Sequence, residues 1–215
     1  VKGIILLLFA ISLSGCVLQV QSVFVTSSPV PAQDSSYSIY DEQVSWNGIR
    51  TEFHVNNDKR LRVKVSQIGK SSDWVDSPAY VYGGKTPFAI SMWVDLGELE
   101  EVLLDTGAVE LSLDHSKKLS PTSVSVEATG GRSVCYLLAS EDVEYSQPVA
   151  MGVIALVDLP QRYGTWGCIR FIFDVPVDAM DPSKKFSFTT KFIVNDKEKF
   201  KTVYFGSREF TIVNR

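Results

Sequence analysis

The chain has 215 residues, of which 45% are hydrophobic, 21% charged and 11% aromatic, with 14 Gly, 9 Pro and 3 Cys. This is a globular composition, and it excludes the disordered, collagen-like and disulfide-dense classes. A formal charge of −4, from 21 basic and 25 acidic residues, leaves no cationic surplus for a phosphate backbone and speaks against nucleic-acid binding.

The chain opens with Lys2 and then the apolar run Gly3-Ile4-Ile5-Leu6-Leu7-Leu8-Phe9-Ala10-Ile11-Ser12-Leu13. A bilayer core of ~30 Å needs about 20 apolar residues as a helix, so this run is too short to span and has the length of a secretory h-region. Leu13-Ser14-Gly15-Cys16 follows directly. This segment resembles the lipobox of bacterial lipoprotein precursors. The resemblance covers residues 1–16 and implies removal of residues 1–15, acylation of Cys16 and anchorage in membrane lipid. With Val1 read as the product of an alternative start codon, the segment would be a true amino terminus. Val17 stands where Asp would signal inner-membrane retention in Gram-negative members, so the resemblance also implies a cell-envelope location at the outer membrane. Several acyl chains anchor stably where one holds only reversibly, at ~0.8 kcal/mol per buried CH₂.

Residues 16–43 are expected to form the lipidated Cys and a flexible tether, because Ser27-Ser28-Pro29-Val30-Pro31-Ala32-Gln33-Asp34-Ser35-Ser36 is small, polar and proline-bearing. The β character of 17–26 leaves open a pairing with the domain edge.

From Val44 onward the pattern has period 2. Leu61, Val63 and Val65 alternate with Arg60, Arg62 and Lys64; Ile169, Phe171, Phe173 and Val175 share one face; Phe186, Phe188, Phe192 and Val194 line another. Alternation of β-branched and aromatic residues marks half-buried strands. Turn signals separate them, at Asn56-Asn57-Asp58, Gly83-Gly84, Gly130-Gly131, Asp181-Pro182-Ser183 and Asn195-Asp196. Leu96–Leu104 reads either as a helix, with apolar residues at 96, 99, 102 and 103, or as a buried strand at its end. The whole predicts an all-β, Ig-like antiparallel sandwich over residues 44–215. The closing segments from Ile169 to Val213 look like those of Ig-like bacterial envelope lipoproteins.

Cys135 and Cys168 remain once Cys16 is lipidated. In an oxidising compartment such a pair tends to bond, closing a loop of about 34 residues; two separate buried thiols are the alternative. His54 and His115 have no spaced partner, and no four-ligand N/S set for zinc is present. Asp114-His115-Ser116 holds triad residue types, but neighbours in a strand point to opposite faces. No metal and no cofactor is expected.

Asp105-Thr106-Gly107-Ala108, preceded by Val102-Leu103-Leu104, admits two readings. Asp and Gly favour turns, so the segment predicts a hairpin between strands 102–104 and 109–113. It also resembles the D-T-G-A segment of retroviral-type aspartic proteases over residues 86–113. That resemblance implies Asp105 as a catalytic residue sharing a proton with the Asp of a second copy. It would place a flap near Gly130-Gly131, and Ala150-Met151-Gly152 as a poor match to the family's later hydrophobic-hydrophobic-Gly segment. Trp74, in the loop-like Ser71-Ser72-Asp73-Trp74-Val75-Asp76-Ser77-Pro78, is a candidate partner contact, since exposed loop aromatics anchor interfaces. The function expected is a non-enzymatic binding or structural role with an envelope protein partner. The alternatives are a homodimeric aspartic peptidase using Asp105 and a carbohydrate or peptidoglycan binder.

Overall fold

The computed structural model describes residues 19–31, 38–40, 43–67, 70–113, 117–127, 146–160 and 166–214. Residues 1–15, expected to be a signal segment, and Cys16, His115, Gly130-Gly131 and Cys135 lie outside these residues.

Two antiparallel sheets face each other. The first is ordered β10 (Lys117–Leu119), β9 (Val102–Leu113), β15 (Phe186–Val194), β16 (Lys197–Asn214), β1 (Gln19–Val30), β5 (Lys59–Gln67) and β6 (Lys70–Ser71); β13 (Val153–Ala155) adds to β9 and β7 (Val75–Tyr80) to β5. The second runs β12 (Ser146–Val149), β11 (Ser123–Glu127), β14 (Trp166–Pro176), β8 (Pro87–Asp95), β4 (Ile49–Val55), β3 (Gln43–Trp46) and β2 (Ser38–Tyr40). The expected all-β sandwich is therefore the fold, with nine and seven strands among the described residues where an immunoglobulin domain has seven to nine in all.

The alternation read from the sequence builds the core. Phe88, Ile90, Met92 and Val94 of β8 and Ile169, Phe171, Phe173 and Val175 of β14 meet Phe186, Phe188 and Phe192 of β15, Leu104 and Leu111 of β9, and Val203 and Phe205 of β16. Phe186 stacks on Phe205 with ring centroids 4.7 Å apart, and Phe53 meets Phe188 and Phe205 edge-on. Such pairs add ~0.5–1.5 kcal/mol each beyond the area they bury. Asn195 and Asp196 have φ of 50° and 60° and join β15 to β16 as expected; Asn47 and Gly48, with φ of 47° and 83°, join β3 to β4 in the same way. Both are two-residue hairpin turns that need positive φ at both central positions.

Four expectations change. Residues 19–30 are not tether: β1 pairs with β16 along Val20–Val30 and with β5 along Gln19–Val25. Its serines are accommodated because Asn57, fully buried, receives the Ser27 N–H on Oδ1 and donates through Nδ2 to Ser27 Oγ and to the Met180 carbonyl. Of its two readings Leu96–Leu104 keeps only the strand at its end: it is not helical, and a turn at Gly97 leads into β9, whose first residue is Val102. The predicted hairpin at Asp105-Thr106-Gly107 is one continuous strand, β9. Finally, Leu61, Val63 and Val65 alternate as predicted but do not reach the core; Val65 is 41% exposed.

That last difference has a topological cause. The first part of β16 pairs with β15 and the last part, Tyr204–Asn214, with β1. The handover is close: a Cβ on Gly206 would lie 2.9 Å from Val30 Cγ1. Beyond Phe205 no residue of β16 belongs to the central core, nor does any residue of β1 or β5. These three strands run out of the sandwich as an extension of the first sheet.

Candidate functional site

Asp105 sits at an interruption of the β9–β15 ladder. Glu110 pairs with Thr189 and Asp105 with Lys191, so four residues of β9 stand against one of β15. The displaced Thr106 is fully buried. Its N–H donates to the Gly152 carbonyl at 2.8 Å, its hydroxyl donates to the same oxygen at 2.8 Å, and Gly152 N–H donates to Oγ1 at 2.9 Å. Asp105 Oδ1 accepts the Gly107 N–H. The two segments of the protease resemblance, Asp105-Thr106-Gly107 and Ala150-Met151-Gly152, are thus neighbours. The Asp105 carboxylate, however, lies 3.4 Å from Lys191 Nζ, which also holds Glu198 at 2.7 Å. Lys191 gains most from the Glu198 hydrogen bond, which raises its pKa against desolvation. A lone carboxylate paired with an ammonium is a different arrangement from two carboxylates sharing a proton.

The outer face of the second sheet carries polar side chains that are buried at its centre, on β8 and β14. Register places Arg50, Asp95 and Trp166 in one row, Glu52, Trp93 and Cys168 in the next, and His54, Ser91 and Arg170 in a third. Asp95, Trp93, Cys168 and Ser91 are all at most 3% exposed, and Arg170 is 7% exposed. Arg50 pairs with Asp95 and stacks over Trp166. Cys168 is disulfide-bonded; its partner lies outside the described residues, as does Cys135.

His54, on this face, stands 3.2 Å from Glu52, whose pKa is held down chiefly by that hydrogen bond. Asp58 is close by: burial pushes its carboxyl up, against a hydrogen bond from Thr26 and the attraction of His54. Burial likewise raises Tyr82, with the Asp58 charge adding to it and Arg170 opposing. A cleft of about 320 Å³ opens here between Thr26, Ser28, His54, Asp58, Arg208 and Phe210, at the small end of the range that holds ligands. It is a mixed-charge recess rather than an apolar pocket. The sequence patterns named His54 as an isolated histidine, Asp58 only as part of a turn and Ser28 only as part of a tether, because β4, the β1–β16 pair and the connection after β4 come together only in three dimensions.

Trp74 is exposed, at 38%, as predicted, but the loop expected over residues 71–78 is only residues 72–74, because Val75–Tyr80 pairs with β5 as β7. Its ring lies 5.2 Å from the Arg62 guanidinium and 6.0 Å from Lys64 Nζ, within cation–π range. Arg62 and Lys64 of β5 and the candidate contact Trp74 therefore form one patch; the register shift between Arg60 and Arg62 takes Arg60 out of the cationic face expected from the sequence, and it bonds Ser77 instead. Among the described residues no group of three or more His, Cys, Asp and Glu is placed to hold a metal, and no helix is long and apolar enough to cross a membrane.

No protein-family model, curated protein or solved structure matches this chain.

Proposed function

We propose that this protein is a cell-envelope lipoprotein, anchored through acylated Cys16, whose β-sandwich has a non-enzymatic binding or structural role toward an envelope protein. The observation that carries the anchor is the eleven-residue apolar run ending on Leu13-Ser14-Gly15-Cys16. The binding role is supported by exposed aromatic and apolar side chains outside any catalytic cleft, such as Val65 and Val75 on strands and Trp74 in the loop just before β7. Metabolic labelling with a fatty acid tests the anchor: wild type takes up label and sediments with membranes, and Cys16→Ser does neither. Label retained by Cys16→Ser, or wild type recovered soluble with residues 1–15 attached, overturns it. Cross-linking in native membranes tests the role: a discrete envelope protein is captured by wild type, and capture of none overturns it.

A second reading, an aspartic-type peptidase acting as a homodimer, is favoured by the Thr106–Gly152 contact and opposed by the Asp105–Lys191 ion pair. Equal proteolysis by wild type and Asp105→Asn, or none by either, ends it.

A further inference from the structure

The extension formed by β1, β5, β7 with Trp74 just before it, and the part of β16 beyond Phe205 carries an unusual share of exposed apolar surface. Of the eleven large hydrophobic side chains exposed among the described residues, five are here: Val65, Trp74, Val75, Ile212 and Val213, with Val75 63% and Val213 45% exposed. Register shows how they are grouped. Val20 pairs with Val65, Ser22 with both Val63 and Ile212, and Val63 with Val75. Directly paired residues share a face of the sheet, so Val20, Val63, Val65, Val75 and Ile212 form one apolar face. The opposite face has Gln21 paired with Lys64 and Val213, and Val23 with Arg62; Trp74 lies over those two cations. Asp76 pairs with Arg62 in register and Asp73 precedes Trp74, so the patch is apolar and aromatic rather than strongly basic. Contiguous patches of this kind mark a contact site.

The position of β1 in the chain says what the contact is. Gln19, the first residue of β1, is three residues after Cys16. Three residues reach at most about 10–11 Å, whatever their conformation. The polar layer on each side of a ~30 Å hydrocarbon core is only about 5–7 Å thick. An acyl group on Cys16 therefore holds the start of β1 inside the polar layer or within about 3–6 Å of its outer edge, too close for a long stalk.

We propose that the end of this extension, where β1 begins and β16 finishes, docks directly on the lipid surface. Val20, Val65, Ile212 and Val213 enter the headgroup layer, while Trp74, Arg62 and Lys64 sit at the interfacial level that Trp and long cationic side chains favour. The proposal rests on the lipoprotein reading above. It adds that the sandwich stands on the bilayer by its own side chains, with one fixed end down.

The test uses the full acylated chain, reconstituted in vesicles of phosphatidylethanolamine and phosphatidylglycerol. The photo-cross-linker p-benzoylphenylalanine is placed at position 65, at position 212 or, as a control, at position 200. Phe200 is 61% exposed and lies at the other end of β16. Irradiation is expected to give several-fold more phospholipid adduct at 65 and 212 than at 200. The mass of the Cys16 peptide from the same sample reports acylation separately. Acylated protein with equal adduct at all three positions, or with adducts joining two copies through 65 or 212, overturns docking and leaves the anchor standing. An unmodified Cys16 overturns both.

Discussion

Thr106 and Gly152 exchange three hydrogen bonds, two from Thr106 to the glycine carbonyl and one from the glycine N–H to the threonine hydroxyl. This contact holds the bulge in β9 against the start of β13, and with it the backbone that presents Asp105. Thr106→Val keeps the shape but removes the hydroxyl, leaving Gly152 N–H without that acceptor. A loss of about 1–3 kcal/mol in urea unfolding is expected, the usual cost of stranding a buried donor. A change smaller than a few tenths would mean the bulge is held by packing and the remaining Thr106 N–H to Gly152 carbonyl bond.

Asp181 makes stability depend on acid pH. Burial pushes its carboxyl up, but hydrogen bonds from Lys59, Ser183 and Tyr80 outweigh this and hold it well below the usual carboxylate range. A carboxylate whose folded pKa is depressed stabilises fully above its unfolded pKa of about 3.9, and that stability is lost as pH falls through the folded value. Asp181→Asn is expected to cost about 2 kcal/mol at neutral pH, the scale of hydrogen bonds to a charged group. The gap to wild type should narrow steadily below about pH 4. A pH-independent gap in denaturant titrations would rule out this linkage.

Asp58 has the opposite sign. Its carboxyl is raised by burial, so its contribution is favourable below the unfolded pKa and is lost as pH rises through the folded one. Asp58→Asn should therefore melt at or above the wild-type temperature at pH 7, and should lose that advantage below about pH 4. A lower midpoint at pH 7 would show that the Thr26 hydrogen bond outweighs the desolvation.

Cys168 is disulfide-bonded beneath the outer face of the second sheet, opposite Trp93. With Cys135 as its proposed partner, closing a loop of about 34 residues stabilises by roughly 3–4 kcal/mol. Cys168→Ser should lower stability by that order and, in the unfolded and unreduced protein, free one alkylatable thiol where wild type shows none from this pair. Two reactive thiols in wild type would end the pairing.

Period-2 alternation was enough to specify the sandwich. Ile169, Phe171, Phe173 and Val175, or Phe186, Phe188 and Phe192, can all be buried at once only in strands packed on one side. Asn195-Asp196 was legible for a local reason, since a two-residue turn needs positive φ and these residues tolerate it. Asp105-Thr106-Gly107 misled because its turn preference is local and weak, whereas β15 and β13 pair with β9 on either side of it and extend the backbone. The proline and serines of β1 misled in the same way, until Asn57 and the long pairing with β16 supplied the hydrogen bonds.

The candidate surfaces divide along the same line. The lipid anchor proposed at Cys16 is read from length and residue order alone, because such an anchor depends on contiguous chemistry. Trp74 beside Arg62 and Lys64, His54 beside Asp58, and Asp105 beside Lys191 depend on register between strands distant in sequence. No local pattern encodes that register; the closing of the two sheets over a shared core does.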